Sequence, residues 1–249
     1  MFTVVLVAVT ILLFLGVGVV LWLRSGVREF GASLEGVVQG IVQLRGMAGA
    51  SPQYAPVPED APEATGLARA EPDLERADLH PVGDLFEVGR DGKPAAAVRW
   101  FVSGDGGVFG WLGLSPAGPA MLLISEIPEV GFVTTLRGPD TPSTAAPPTV
   151  VHERLAWDEG LDAALTRHQD GVARMGEPLA VEGLEGALEG MDALKAHVAE
   201  WRAAQDPAEL LEADVRKILG VRFEDLGGAV VALVRVAEGE AAREGGAPT

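Results

Sequence analysis

Residues 97–112 read Ala97-Val98-Arg99-Trp100-Phe101-Val102-Ser103-Gly104-Asp105-Gly106-Gly107-Val108-Phe109-Gly110-Trp111-Leu112. Two β-prone apolar runs flank a glycine-rich break, and Asp-Gly between such runs is a strong tight-turn signal because both residues tolerate left-handed backbone. With Asp105 and Gly106 at the centre of the turn, Trp100 falls opposite Trp111 and Val102 opposite Phe109, all on one face.

Further strands succeed it toward the C-terminus. Ala120–Ile127 is ended by Pro128-Glu129, and Gly131–Arg137 leads into Gly138-Pro139. A proline-rich excursion over 139–148 precedes Val150–Leu155. The connections are too short for helical crossovers, so antiparallel order is expected. The remainder carries helical periodicity. One helix is expected from Asp158, as its cap, to about Met175, with Leu161, Leu165, His168 and Val172 on one stripe. A second spans about 184–204, with Leu184, Leu188, Met191, Leu194, Val198 and Trp201. Asp206-Pro207-Ala208-Glu209 opens a third, since Asp caps and Pro suits the first turn, and that helix ends near Gly220. Phe223–Ala237 places Phe223, Leu226, Val230, Leu233 and Val234 on one helical face, although its valines leave a strand open. Strands followed by helices predict an α+β domain over 84–238: an antiparallel β-meander sheet with about four helices packed on one face, and a frayed tail at 239–249.

In the other direction, residues 49–83 contain Pro52, Pro56, Pro58, Pro62, Pro72 and Pro81 among Ala, Glu and Asp, which reads as an extended, self-repelling linker. Before it, Val27, Phe30, Leu34, Val37, Ile41 and Leu44 recur at alternating spacings of 3 and 4, an apolar seam on a juxtamembrane amphipathic helix over 24–48. Three uses compete for that face: self-association, the membrane interface, and docking on the chain's own domain. Gly36 and Gly40 add a G-x-x-x-G spacing that permits close helix approach. Residues 2–23, FTVVLVAVTILLFLGVGVVLWL, carry no charge, and at about 1.5 Å per residue they cover a hydrocarbon core of about 30 Å. A single transmembrane helix is expected, not a signal peptide, because the run is too long and lacks a basic n-region and a small-residue cleavage site. Trp22 suits the interface, and Arg24 and Arg28 favour a cytoplasmic placement of the chain beyond them, at the inner membrane.

Charge narrows the partners. The chain has 249 residues, 19 Lys plus Arg against 36 Asp plus Glu, and a net charge of -17. Such a balance repels phosphate backbones, so nucleic acid is not an expected partner. The charge divides as +1 over 1–50, -5 over 51–83 and -13 over 84–249, so the acidity belongs to the chain beyond the span. With no cysteine, disulfides, thiolate metal sites and Cys nucleophiles are absent.

No reaction motif emerges. His152-Glu153 and His168 suggest a His/Glu/His set, but adjacent strand residues point to opposite faces and no H-E-x-x-H spacing is present. Ser103, Ser115, Ser125 and Ser143 lack a G-x-S-x-G setting. Gly104–Gly107 is a turn and not a phosphate cradle, because no G-K-[ST] comes after it. Trp100 and Trp111 are candidate pocket residues, weighed against a cross-strand core pair. No catalytic residue, cofactor or metal is therefore expected. The reading is a bitopic protein, held in the bilayer by residues 2–23, whose acidic cytoplasmic α+β domain is a non-catalytic protein-interaction or scaffold module, with a protein partner or self-association through the seam. The alternative is a membrane-tethered small-molecule or lipid-binding domain with a pocket between sheet and helices.

Overall fold

The computed structural model describes residues 35–42, 44–45, 53–58, 61–70, 74–88, 94–115, 118–139, 143–220 and 223–245. Among the described residues the fold is α+β, with a seven-stranded, mostly antiparallel sheet and six helices. The strands are β1 Gln53–Pro56, β2 Leu79–Val88, β3 Pro94–Ser103, β4 Phe109–Ser115, β5 Gly118–Ile127, β6 Gly131–Arg137 and β7 Val150–Leu155. They lie side by side in chain order. The helices are α1 over residues 35–42 and 44–45, α2 Pro62–Ala70, α3 Leu161–Met175, α4 Gly183–Ala204, α5 Pro207–Leu219 and α6 Phe223–Gly245. Their contacts divide into two compact units, a sheet unit over 47–210 and a helical unit made of 1–46 with 211–249.

In the sheet unit the hairpin has the register its turn dictates, with Trp100 paired to Trp111 and Val102 to Phe109. Gly106 sits at φ +74° and donates its N–H to the Ser103 carbonyl, a conformation that glycine adopts without strain. All neighbouring strands are antiparallel except the last pair. β7 runs parallel to β6, which corrects the expected all-antiparallel order. The connection over 138–149 is long enough to return the chain to the starting end of the sheet. It is tied to α4 by Arg202, which donates to the Ala145 carbonyl at 3.0 Å, and by a Thr149–His197 hydrogen bond of 2.7 Å.

Both faces of the sheet are covered, not one as expected. Successive strand residues alternate between faces. On one face Leu79, Ala97, Phe101, Leu112, Met121 and Leu123 pack with Leu67 of α2 and with Leu161 and Ala164 of α3. On the other Leu85, Val98, Trp100, Val102, Phe109, Ile124 and Phe132 pack with Ala187, Met191 and Leu194 of α4. Glycine brings each helix close: a Cβ at Gly171 would lie 2.7 Å from Val133, and one at Gly190 would lie 2.5 Å from the Phe109 ring.

The region read as a linker contributes to this core. β1 pairs with β2, α2 buries Leu67 completely, and β2 itself begins at Leu79, so the expectation of an extended tether over 49–83 is corrected at residues 53–56, 62–70 and 79–83. Proline is compatible with both elements: Pro56 ends an edge strand and Pro62 opens a helix, positions where its missing N–H costs little. Asp158 does not cap α3 either. It lies in a 3-10 turn, Trp157–Glu159, and Gly160 at φ +84° precedes the helix. Asp206 does cap α5, accepting the N–H groups of Ala208 and Glu209 at 2.8 and 3.1 Å.

In the helical unit, Val38 and Ile41 of α1, Leu211 and Val215 of α5, and Val230 and Val234 of α6 form one core. Phe223–Ala237 is therefore helical within α6, and the expected domain over 84–238 is divided between the two units. Among the described residues no helix is long and apolar enough to cross a membrane. The apolar run over 2–23 lies outside the described residues.

Candidate functional site

The most chemically suggestive group is fully buried beneath α3. Along β5 the positions facing α3 are Met121, Leu123, Ser125 and Ile127, and along β6 they are Val133, Thr135 and Arg137. Ser125 thus interrupts an apolar row on β5, and Thr135 stands between Val133 and Arg137 on β6. His168 descends on them from the buried stripe of α3, formed by Leu161, Ala164, His168 and Gly171. Its Nε2 lies 3.0 Å from Ser125 Oγ and its Nδ1 lies 3.0 Å from Thr135 Oγ1. Ser125 Oγ also donates to the Gly107 carbonyl in the β3–β4 turn, at 2.6 Å.

Hydrogen bookkeeping assigns the roles. Ser125 has one hydroxyl proton, and the Gly107 carbonyl takes it. The Ser125 oxygen therefore accepts from His168, which carries its proton on Nε2, and Thr135 donates to the bare Nδ1. Burial, with no compensating carboxylate, pulls the His168 pKa down to about 4. This arrangement is the reverse of a nucleophilic dyad, in which serine donates to a basic imidazole. All three side chains have no solvent exposure. The network ties α3, β5, β6 and the β3–β4 turn together, and each polar atom in it has a partner, as a buried network requires.

The other histidines do not join it. His152 lies on the opposite face, its Nδ1 2.7 Å from Thr134 Oγ1, while Arg154 donates to its Nε2 at 3.2 Å. Glu153 points toward α3 and meets Arg174 at 3.2 Å and Arg167 at 3.9 Å. The His152, Glu153 and His168 set is therefore not assembled, and among the described residues no group of three metal-ligating side chains is present. His80 pairs with Asp78, and His197 rests on the Phe132 ring.

Trp100 is buried in the face covered by α4, edge-on to Tyr54 with centroids 5.7 Å apart, and among the described residues its indole N–H has no hydrogen-bond partner. Trp111 is half-buried against the same cluster. Trp100 thus belongs to the core cluster on that face, and Trp111 packs against it from its partly buried position. Beside them Tyr54 is held above its ordinary pKa by burial and then by Glu87 and Asp192. Lys195 is lowered by burial, which the same two carboxylates offset. A hollow of about 200 Å³ lies elsewhere, at the C-terminal ends of β6 and β7, lined by Leu136, Gly138, Pro139, Arg154, Leu155 and Ala156.

Of the six seam positions, Val27, Phe30 and Leu34 lie outside the described residues. Val37 is exposed, Ile41 is buried and Leu44 is half-buried. The buried positions of α1 are therefore Val38 and Ile41, of which Ile41 belongs to the expected seam and Val38 does not, and they pack with α5 and α6. Arg45 completes that docking by pairing with the fully buried Asp214 and, at 2.7 Å, with Glu238. Leu233, expected on the inner face of α6, is exposed instead.

Ser125 and His168 stand out in the sequence singly, with nothing there to join them, and Thr135 does not stand out at all. The available signal was a hydroxyl on the apolar row of β5 and an imidazole on the apolar stripe of α3. No known family, curated protein or solved structure matches this chain.

Proposed function

We propose that the chain is a single-pass membrane-anchored protein whose sheet unit is a non-catalytic interaction module, presenting an acidic surface to a protein partner. The observation that carries this reading is the partition of charge between the units. The sheet unit has 27 Asp and Glu against 11 Lys and Arg, whereas the helical unit has 9 against 8. A body of that sign is repelled by anionic lipid and attracts a basic protein face. The uncharged run over 2–23 supplies the anchor, and Arg24 and Arg28 favour a cytoplasmic sheet unit.

The alternative of a ligand domain with a pocket between sheet and helices has less support. Small-molecule sites occupy about 300–1,000 Å³, and the 200 Å³ hollow lies at the end of β6 and β7.

Three experiments test the proposal. Full-length chain should resist alkaline extraction from membranes, and deletion of residues 2–23 should release it; retention of the deleted form overturns the anchor. A reporter fused after Thr249 that is active only outside the cytoplasm should be silent, and strong activity there overturns the orientation. Cross-linking in cells should capture a partner whose yield falls steeply with ionic strength. A yield insensitive to salt overturns the acidic surface as the recognition element.

A further inference from the structure

The outer side of α6 carries a second apolar stripe that its own unit leaves uncovered. Ala229, Ala232, Leu233 and Val236 recur at i, i+3, i+4 and i+7 and are all exposed, with Leu233 at 41% and Val236 at 58%. Val230 and Val234, on the inner side, are completely buried. Between Leu226 and Ala237 only Arg235 is charged, so α6 is apolar around most of its circumference. Such a helix normally has neighbours on more than one side. Val37 of α1 is also exposed, so three of the five large apolar side chains exposed among the described residues belong to this smaller unit.

We propose that this stripe rests against the lipid surface beside the anchor, an inference that rests on the membrane-anchored reading of the chain. Three observations select lipid over another occupant. First, the uncharged run ends at residue 23 and α1 begins by residue 35. The eleven intervening residues reach about 16 Å as helix and at most about 40 Å extended, so the unit is held close to the bilayer. Second, the near-neutral charge of the helical unit lets it approach anionic headgroups that repel the sheet unit. Third, four small and medium side chains fall far short of the roughly 20–30 residues per partner of a stable protein interface. An interfacial helix needs no such minimum when another segment already supplies the binding. The stripe then orients the unit and does not attach it.

The absence of cysteine makes the test direct. Single variants Leu233→Cys, Val236→Cys, Arg235→Cys and Glu185→Cys of the full chain are labelled with an environment-sensitive fluorophore and reconstituted into phosphatidylcholine–phosphatidylserine vesicles. Labels at 233 and 236 should shift to the blue and lose at least about half their emission to a lipid-borne quencher, as apolar positions at the headgroup boundary do. Labels at 235 and 185 should respond to aqueous iodide. If the labels at 233 and 236 respond to iodide and not to the lipid quencher, the stripe faces water and the inference fails. If they are shielded from both and become accessible as protein is diluted in the bilayer, a second copy covers them and the inference also fails. Alkaline extraction of the same samples separates the stripe from the anchor: retained protein with water-exposed labels refutes the stripe alone, whereas protein that washes off refutes the anchor and the stripe together.

Discussion

The two units bury polar groups in opposite ways. Beneath α3 the sheet unit places three neutral side chains, Ser125, Thr135 and His168, so that every proton and lone pair that matters is used. In the helical unit a charged pair, Arg45 and Asp214, sits in the seam between α1 and α5, with Glu238 closing it from α6. A satisfied neutral network adds stability with little penalty, whereas a buried ion pair loses much of its Coulomb gain to desolvation and mainly punishes any partner left alone. In the helical unit α1 also packs Val38 and Ile41 into a core with Leu211, Val215, Val230 and Val234, so the pairing adds to the packing and does not replace it.

The largest expected effect breaks that pairing. Asp214→Ala takes the buried carboxylate from Arg45, leaves it Glu238 alone and should cost about 3 kcal/mol, the low end for a broken buried pair, whereas the apolar double exchange Arg45→Met with Asp214→Leu should cost less. Hydrogen exchange across α5 and α6 of the full chain reads both; equal loss of protection in the single and double variants would show that the charges stabilise and do not merely specify. Acidification sharpens the other side of the comparison. His168 has a folded pKa depressed to about 4 from 6.5, so the unfolded chain binds the additional proton between those values. Stability from this group is complete above about pH 6.5 and is lost as pH falls toward 4, by on the order of 3 kcal/mol. Denaturant titrations of the parent and of His168→Gln over that range should differ in slope, with the variant flatter; parallel curves would mean that His168 is not buried neutral.

Packing on the two sheet faces comes next. Gly190→Ala drives a methyl group into the Phe109 ring and should lower stability by about 1–3 kcal/mol, seen as a lower Tm. Gly171→Ala, against Val133, should fall in the same range, and a much smaller effect on either face would identify the one free to relax. Smallest is the exposed Arg216–Glu212 pair, 3.0 Å apart on one turn of α5. Glu212→Ala should change stability by no more than about 0.5 kcal/mol at low salt and by nothing measurable at high salt.

Legible in the sequence was whatever neighbouring residues decide among themselves. Asp105-Gly106 set the hairpin and with it the Trp100–Trp111 register, because turn geometry propagates along a two-residue alternation. Asp206 announced α5, because a cap is satisfied within one turn. The span of α4 came from its own apolar spacing.

Tertiary structure decided whatever depended on partners far along the chain. Residues 53–56 and 62–70 looked like linker because α2 is weakly apolar by itself, and Leu67 matters only once β3 and β4 are beneath it. The parallel placement of β7 needs a crossover, one held to α4 through Arg202 and the Ala145 carbonyl, and no short spacing within the strand announces it. Ser125 and His168 are separated by 43 residues, and Thr135 and His168 by 33, so their meeting is a property of the sheet and not of a motif. The seam on α1 was visible as periodicity, and its Ile41 is buried, but Val38 is buried in place of Val37, a choice that rests on packing with α5 and α6. By itself the sequence determined local geometry, the uncharged run and the distribution of charge, because these depend on composition and short spacings. Which apolar surfaces are used, and which polar groups are sealed away, depends on long-range desolvation, and that is settled only when distant segments pack.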